Sequence, residues 1–350
     1  MFTRENTRKI RVGNIEMGGG AKVSIQSMLN APASDHEGNV RQAVELEKAG
    51  CEIIRVSVPD MQTVSLIEKL KKAVSCPIVA DIHFDYKLAL ESVAAGADKI
   101  RINPGNIGSD DRVKAVADAC RNAGVPIRIG VNSGSVEKEI LKKYGTPTPE
   151  ALVESGLYHL SLLEKFDFRD VVLSLKSSDT YTMFSAYRLA AEKCDCPLHL
   201  GVTEAGTEKL GTIRSAAGIG GLLLLGLGDT IRVSLTGDPV LEVEAAKNIL
   251  KAVGLNKSGV KIVSCPTCGR TKIDLIGIAE EAEKALADCH KDITVAIMGC
   301  VVNGPGEAKE ADVGIAGGDG NGIIFKKGEI IKKVSEDKLL DALMEEIEKL

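Results

Sequence analysis

Three cysteines in the last third of the chain have the spacing of a metal site. Cys265 and Cys268 form a C-x-x-C turn in KIVSCPTCGR, directly after a short apolar run. Cys300 ends a second apolar run in IMGCVVNGPGEA, and Glu307 lies in the glycine-rich stretch behind it. Thiolates at two strand-to-loop junctions can hold zinc or an iron-sulfur cluster. The sequence therefore predicts a metal centre here.

The ligand types favour a cluster, with zinc as the alternative. Zinc normally takes a second close pair of ligands or a nearby histidine, and Cys300 has neither beside it. Three cysteines and one oxygen ligand would leave one iron of a cluster unusually reactive, which suits catalysis better than simple electron transfer. The competing interpretation is a zinc-stabilised, phosphate-binding barrel protein without a redox role.

A second set of residues suits the binding of phosphate. Arginines stand between apolar neighbours in four short runs of similar sequence, at Arg55, Arg101, Arg128 and Arg232. A guanidinium inside a strand needs a partner, either a carboxylate at a strand end or a bound anion. Since its planar fork matches phosphate oxygens, we expect a ring of arginines around a ligand with more than one phosphate. Lys176 and Ser234 are predicted to add further contacts.

Other polar residues follow predicted strands. Asp81 and His83 lie two positions apart in VADIHFD, and Asn132 ends the strand of GVNSG. Glu204 ends an apolar strand in GVTEAG and is followed by Ala-Gly rather than by a solvated helix start. It is the strongest single candidate for a catalytic acid.

The elements that position these residues indicate a (β/α)8 barrel. Eight short β-branched runs alternate with helical patterns: VSIQSM, EIIRVSV, PIVADI, KIRIN, PIRIGVN, DVVLSLK, PLHLGVTE and TIRVSL. A doubly wound sheet is the alternative, but the count favours the TIM barrel, whose sites gather at the carboxyl ends of the strands. We predict the barrel over residues 1–240, a linking helix and loop over 241–258, and a smaller α+β domain with the cysteines over 259–350.

Composition sets the broad class. The chain has 350 residues, 44% of them hydrophobic, and a formal net charge of −5, which argues against a sequence-independent nucleic-acid binder. Nine cysteines, an odd number, are more typical of reduced thiols and metal ligands than of a disulfide scaffold. We find no signal-peptide pattern and no apolar run long enough to span a bilayer, so we expect a cytoplasmic protein without membrane contact.

Several long motifs resemble one known family. SCPTCGRTKIDL and MGCVVNGPGEAKEADVGIAGG closely resemble the 4-hydroxy-3-methylbut-2-enyl diphosphate synthase family of the non-mevalonate isoprenoid pathway, in its compact bacterial two-domain form. ADIHFDYKLAL, IRINPGNIG, GVNSGSVEKE and GVTEAGT extend the resemblance through the first domain. It covers essentially the whole chain.

The resemblance implies an activity and a cofactor. It implies an oxidoreductase that opens 2-C-methyl-D-erythritol 2,4-cyclodiphosphate by two-electron reductive dehydroxylation to 4-hydroxy-3-methylbut-2-enyl diphosphate. It implies a [4Fe-4S] cluster held by Cys265, Cys268, Cys300 and the displaceable carboxylate of Glu307. A second alternative is that the chain is related to the sulfite and nitrite reductases. A carboxylate at Glu307 in place of a fourth thiolate argues against that relationship.

Roles and partners follow from the same resemblance. The diphosphate would be fixed by Arg55, Arg101, Arg128, Lys176, Arg232 and Ser234. Asp81, His83 and Asn132 would orient the rest of the substrate, and Glu204 would give a proton to the departing hydroxyl. Electrons would come from ferredoxin or flavodoxin. A head-to-tail homodimer would let the cluster of one chain cap the barrel of its partner.

Overall fold

The computed structural model describes residues 2–256, 259–287, 289–301 and 308–350. The chain divides into two compact units, Met1–Leu255 and Asn256–Leu350. This agrees with the predicted pair of domains. No helix in these described ranges is long and apolar enough to cross a membrane.

The first unit begins with a small antiparallel hairpin that the sequence reading did not predict. Its strands are β1 (Ile10–Val12) and β2 (Ile15–Met17), paired from Ile10 to Met17 and from Val12 to Ile15. The two-residue connection places Gly13 at φ +57°, a left-handed conformation that glycine adopts without steric cost.

Eight parallel strands follow and form one sheet. They are β3 (Ser24–Met28), β4 (Ile53–Ser57), β5 (Ile78–Asp81), β6 (Lys99–Ile102), β7 (Ile127–Asn132), β8 (Val171–Lys176), β9 (His199–Leu200) and β10 (Thr230–Ile231). Their order in the sheet is β8-β7-β6-β5-β4-β3-β10-β9. A parallel bridge from Leu173 to Leu198 joins the two edges, so the sheet closes into the predicted barrel.

Helices lie between and after the strands. They are α1 (His36–Lys48), α2 (Met61–Ala73), α3 (Tyr86–Ala94), α4 (Asp110–Ala123), α5 (Lys138–Tyr144), α6 (Pro149–Glu164), α7 (Thr180–Ala191), α8 (Glu208–Ser215), α9 (Gly221–Leu224) and α10 (Pro239–Ala252). Aspartates cap five of these helices, each accepting a backbone N–H of the first turn: Asp35, Asp60, Asp85, Asp179 and Asp238. The caps start the helices soon after the strands end, which leaves short loops at the carboxyl end of the barrel.

The last two strands are shorter than the sequence predicted. PLHLGVTE yields only His199–Leu200, and TIRVSL only Thr230–Ile231. The two backbone segments continue side by side beyond these strands, since the Arg232 amide donates to the Leu200 carbonyl at 2.9 Å. The regular ladder ends early, but Arg232 still lies on the extension of its strand.

The predicted linking segment 241–258 is wrong for most of its length. Helix α10 buries Val243, Ala246 and Ile249 in the core of the barrel, so it belongs to the first unit. The division between the units falls after Leu255. An amphipathic helix that follows the eighth strand completes the outer helical layer of a barrel, which is the physical reason for the difference.

The second unit is an α+β domain, as predicted. Its sheet runs β11 (Lys261–Ser264), β12 (Thr294–Met298), β13 (Val313–Gly317), β14 (Asn321–Lys326) and β15 (Glu329–Ser335) in that order. The first three strands are parallel, and the last two pair antiparallel. Helices α11 (Leu275–Ala285) and α12 (Leu339–Glu348) contribute Leu275, Leu343 and Ile347 to its larger apolar core.

Candidate active site

Strand alternation turns a row of charged side chains into the barrel. Three isoleucines pack in the apolar core beneath the helices: Ile54 of β4, Ile100 of β6 and Ile127 of β7. Side chains alternate between the two faces of a strand, so their neighbours Arg55, Lys99, Arg101 and Arg128 point inward. At the other end, Ile10, Val12 and Met17 of the hairpin pack with Ile53, Val79 and Val172, which stand in the first two positions of their strands. The hairpin therefore plugs the amino-terminal end, and the charged residues face the open end.

Asp81 is the centre of this cluster. It is 3% exposed, and Arg101 Nη1 donates to its Oδ1 across 3.2 Å. Arg55 Nε lies 3.6 Å from its Oδ2, and His83 Nε2 lies 3.7 Å from the same oxygen. Burial raises the pKa of Asp81, but the charges of Arg55 and Arg101 together outweigh it and lower the pKa to about 2. The carboxylate therefore stays ionised and holds two guanidinium groups in place.

Arg101 and Arg128 lie on neighbouring strands, paired in register. Arg101 Nη2 donates to the Gly130 carbonyl at 2.8 Å. A Cβ at position 130 would stand 2.6 Å from Arg101 Nε and 3.2 Å from Arg128 Nη1, so only glycine leaves room for both side chains. Arg128 is 1% exposed, and its Nε and Nη2 have no hydrogen-bond partner among the described residues.

Arg232 is held by a carboxylate that the sequence reading missed. Glu242 of α10 is 4% exposed, and its Oε1 lies 3.3 Å from Arg232 Nη2 and accepts from the Leu235 amide at 3.0 Å. Its Oε2 accepts from Ser27 Oγ at 2.9 Å. Glu242 thus ties the strand end that carries Arg232 to β3. The sequence feature that could have indicated Glu242 is its position as an acid in the first turn of the helix after the eighth strand. That helix was predicted to link the two domains and not to pack on the barrel.

Two lysines complete the cluster. Lys176 ends β8, lies beside Asn132 in the strand pairing and is 5% exposed. Lys99 of β6 is fully buried, and the sequence reading did not select it. Its position two residues before Arg101 in KIRIN was the signal, because residues i and i+2 of a strand share one face.

The cluster is strongly positive. In the described part of the barrel interior, six cations face two carboxylates: Arg55, Lys99, Arg101, Arg128, Lys176 and Arg232 against Asp81 and Glu242. Burial lowers the pKa of Arg55 to about 10 against the opposing effect of Asp81. Burial and the neighbouring arginines hold the pKa of Arg128 and of Lys176 well below the usual values. This excess of buried positive charge has the chemistry of a polyanion-binding site.

The remaining predicted contacts lie at the rim. His83 Nδ1 is 3.3 Å from Arg101 Nη1, and the His83 side chain is 55% exposed. Asn132 follows Val131 at the end of β7 and is half-buried, as is Ser234 beyond Arg232. A further polar residue, Asn103, accepts the Gly130 amide through Oδ1 at 2.9 Å and fixes the β6 and β7 ends together. Contacts thus join Arg55, Asp81, His83 and Arg101, and strand register places Arg128 beside Arg101 and Asn132 beside Lys176.

Glu204 is exposed and has φ +52°, in the left-handed region that side chains other than glycine rarely adopt. The backbone around it is fixed on both sides. The Thr203 amide donates to the Ser177 carbonyl at 3.2 Å, and Arg214 Nη1 donates to the Ala205 carbonyl at 3.0 Å. A strained acid on a tethered loop at the carboxyl end of a barrel strand is typical of a functional residue.

The cysteines lie at the carboxyl ends of two adjacent parallel strands of the second unit. Cys265 follows β11 directly, Cys300 follows β12 by two positions, and Ser264 pairs with Ile297 between them. The Gly299 amide donates to Cys265 Sγ at 3.2 Å. Cys300 is buried, Cys265 half-buried and Cys268 exposed.

This donor set suits an iron-sulfur cluster. The Gly299 N–H donates to Cys265 Sγ, and hydrogen bonds to cluster sulfurs of this kind are common in iron-sulfur sites. A backbone hydrogen bond from Arg270, with its charged side chain, lowers the pKa of the Cys268 thiol. In the described ranges, the structure does not bring three His, Cys, Asp or Glu side chains together as a metal site. The predicted fourth ligand, Glu307, lies outside the described residues.

Comparison with known proteins decides the family. Residues 7–247 match the model of the GcpE TIM-barrel domain, and residues 261–349 match that of the GcpE protein C-terminal domain. The chain belongs to the GcpE family. The two matches follow the two units of the fold, and the family predicted from the motifs is confirmed.

Named relatives share high sequence identity with this GcpE family member over nearly its full length. A protein of Clostridium perfringens is 58% identical over 347 residues, which cover 99% of each chain. A protein of Caldanaerobacter subterraneus is also 58% identical over 347 residues, covering 99% of this chain and 98% of that one. Both are named 4-hydroxy-3-methylbut-2-en-1-yl diphosphate synthase (flavodoxin). These relatives support the reductase interpretation and not the zinc alternative.

Solved structures support the barrel alone. A type I 3-dehydroquinate dehydratase of Clostridium difficile has a TM-score of 0.52 at 13% identity and covers 71% of this chain and 98% of its own. Dihydropteroate synthase of Yersinia pestis has a TM-score of 0.50 at 15% identity, and the match covers 70% of this chain and 98% of that one. At such low identity the likeness concerns the fold of the GcpE barrel and not its chemistry.

Proposed function

We propose that the chain is a 4-hydroxy-3-methylbut-2-enyl diphosphate synthase that reductively opens 2-C-methyl-D-erythritol 2,4-cyclodiphosphate. The observation that carries this function is 58% identity over 99% of the chain to proteins named for that activity. The positive cluster at the barrel mouth supports it, because the substrate is a cyclic diphosphate.

The chemistry must break two C–O bonds. One joins the ring carbon to the diphosphate, and the other joins carbon to a hydroxyl that leaves as water. Two electrons enter, and, counted on the neutral acids, two protons are consumed: one completes the water, and one balances the freed diphosphate oxygen. The site must therefore hold a polyanion whose charge rises during the reaction and must deliver a proton to the departing hydroxyl.

We assign the diphosphate to the cations of the barrel mouth. Arg55, Arg101, Arg128, Lys176 and Arg232, with Ser234, would bind its oxygens, while Asp81, His83 and Asn132 would orient the carbon skeleton. The buried guanidinium atoms of Arg128 and the Arg232 Nε without partners among the described residues support this assignment. These groups are pre-positioned by Asp81 and Glu242, so little reorganisation accompanies binding.

Glu204 is proposed as the proton donor to the leaving hydroxyl. Its support is the strained, tethered position at the end of the β9 strand. The side chain is exposed and therefore open to substrate.

Cys265, Cys268, Cys300 and Glu307 are proposed to hold a [4Fe-4S] cluster. When bound, that cluster supplies the electrons one at a time. The backbone hydrogen bond to Cys265 Sγ and the lowered pKa of the Cys268 thiol support the assignment. A carboxylate is a weaker iron ligand than a thiolate, so Glu307 is the ligand that substrate would displace.

The electron donor is proposed to be flavodoxin, with ferredoxin as the second candidate. The names of the relatives support flavodoxin. A head-to-tail homodimer in which one chain's cysteine domain serves its partner's barrel is part of the proposal. No nucleic-acid partner is proposed. The cytoplasmic location stays a prediction.

The function is tested by anaerobic turnover. The purified chain, reduced flavodoxin and the cyclodiphosphate are combined, and the products are followed by phosphorus NMR. We expect the cyclic diphosphate to be replaced by the linear allylic diphosphate. Unchanged substrate with a reduced, iron-loaded protein would refute the proposed function.

A further inference from the structure

Lys99 lies deeper in the barrel than Arg101. The two residues share the inward face of β6, and Lys99 stands two positions, about 7 Å along the strand, nearer the strand start. Its side chain is fully buried, and Nζ has no hydrogen-bond partner among the described residues. Its strand partner is Val79, which packs with the hairpin, so Lys99 stands beside the apolar plug.

The surroundings of Lys99 contain positive and neutral groups. The charges that act on it are those of Arg128 and Arg55, and neighbouring His199 is fully buried with both ring nitrogens unpartnered in the described chain. Lys176 and Tyr187 are further buried titratable groups that interact with Arg128. The remaining buried polar groups on these strands are neutral: Ser24, Gln26, Ser174 and Thr230. The two carboxylates of the cluster, Asp81 and Glu242, are engaged by arginines.

A buried ammonium without a counter-ion is unstable in its charged form. Burial, followed by the charges of Arg128 and Arg55, holds the pKa of Lys99 well below its usual value. A bound diphosphate adds negative charge to the layer above and offsets part of the positive field that acts on Lys99. The same group then holds a proton more readily.

We infer that Lys99 takes up a proton when a diphosphate binds at the barrel mouth. The inference rests on the proposed function for the location of the ligand, and it assigns Lys99 a role without direct contact to it. The reaction frees a diphosphate oxygen and so raises the negative charge of the ligand. A lysine that charges in response stabilises the opened diphosphate more than the closed one.

The sign of the pH dependence follows from linkage. Below the pKa of Lys99 in the free protein, the ammonium is charged in both the free and the bound protein, so binding takes up no proton at Lys99. Above its pKa in the complex, it is neutral in both. Between the two values binding takes up a proton, so rising pH weakens affinity by up to about tenfold per pH unit.

The first test uses inorganic pyrophosphate as the probe and the anaerobically purified full chain. Its affinity is measured against pH for wild type, for Lys99→Met and for the control Lys114→Met, an exposed lysine on α4. Because pyrophosphate titrates by itself, the informative quantity is the ratio of wild-type to variant affinity. We expect this ratio to fall with rising pH, by up to about tenfold per unit, and to stay flat for Lys114→Met. A flat ratio for Lys99→Met overturns the inference.

The second test needs no variant and therefore holds even if Lys99→Met fails to fold. Calorimetric titration of wild type with pyrophosphate in two buffers of different ionisation enthalpy gives the protons exchanged on binding. After correction for pyrophosphate itself, we expect net uptake. Tight binding without uptake overturns the role of Lys99 alone, whereas no binding at all overturns the diphosphate site as well.

Discussion

Arg101 and Asp81 face each other across two neighbouring strands, with Nη1 3.2 Å from Oδ1 and both side chains under 10% exposed. The strand register pairs these two residues directly. Asp81 therefore fixes one face of the guanidinium, while Arg101 Nε has no partner among the described residues. A single carboxylate organises several cations and leaves donors free for an anion.

Asp81→Asn tests that organising role through pH. The pKa of Asp81 is lowered to about 2 in the folded chain, so its stabilisation is present above the unfolded pKa and is lost as pH falls from about 4 towards 2. We expect the unfolding free energy of wild type to lose about 2 kcal/mol more than that of the variant across this window. Urea denaturation at several pH values measures it, with the exposed Asp111→Asn as control. Parallel pH profiles for wild type and Asp81→Asn would contradict the assignment.

Arg128→Met separates binding from stability. Arg128 is a buried cation whose Nε and Nη2 have no hydrogen-bond partner among the described residues, and burial outweighs its attraction to Asp81. Its removal should therefore stabilise the fold in the absence of substrate, and we expect a higher unfolding free energy. We also expect kcat/KM for the cyclodiphosphate to fall by about 10- to 150-fold, the cost of a lost charged hydrogen bond. Arg41→Met, on a side chain that is 68% exposed, should change neither quantity. A loss of both stability and activity would indicate a purely structural arginine.

Glu204→Gln is expected to act on the chemical step. Loss of a proton donor lowers kcat by about 10²- to 10⁴-fold and leaves KM nearly unchanged. The side chain is exposed, so thermal stability should stay within experimental error. The matched control is Glu208→Gln, an exposed glutamate of α8. Equal kcat for Glu204→Gln and wild type would remove Glu204 from the reaction.

Serine substitutions distinguish the proposed cluster ligands from another thiol of the same unit. Cys265→Ser, Cys268→Ser and Cys300→Ser should each lose most of the bound iron and the visible charge-transfer absorption. Cys289→Ser should keep both, since Cys289 is not among the proposed ligands and lies outside the two strand ends that carry them. Iron retained at the wild-type level in Cys265→Ser would exclude that sulfur.

Glu307→Cys addresses the displaceable ligand. We expect the iron content to be kept, because a thiolate replaces a carboxylate, and turnover to fall sharply, because the thiolate is harder to displace. Anaerobic iron analysis and steady-state rates measure the two effects. An unchanged rate would remove the idea that substrate displaces Glu307.

Mixed dimers test the head-to-tail arrangement. Glu204→Gln disables the barrel of one chain, and Cys265→Ser disables the cysteine domain of the other. If each active site combines the barrel of one chain with the cysteine domain of its partner, half of the randomly paired dimers are mixed, and each mixed dimer has one intact site of two. The mixture then recovers about one quarter of wild-type activity. If each site lies within one chain, the mixture should remain inactive.

The alternation of charged and apolar residues allowed much of this site to be predicted. Arg55, Arg101 and Arg128 interrupt apolar runs, and period-two alternation places them inside any closed parallel sheet. Lys99 obeys the same rule but was missed because no motif drew attention to it. Glu242 was missed since its helix was assigned to a link, although the helix packs on the barrel.

Other features depend on long-range contacts. The IRVGNIEM hairpin carried a turn signal, yet its role as a plug follows only from contact with Ile53, Val79 and Val172. The early end of the β9 and β10 ladders reflects how the sheet closes, which local propensity does not encode. The left-handed backbone of Glu204 likewise comes from the surrounding tethers and not from its residue type.

The central claim is that the cysteine domain carries an iron-sulfur cluster and makes this chain a reductase. Iron, zinc and acid-labile sulfide are measured in protein purified without oxygen. We expect about four irons and four sulfides per chain. One zinc per chain without sulfide would make the C-x-x-C turn structural and would contradict a reductase with an iron-sulfur cluster.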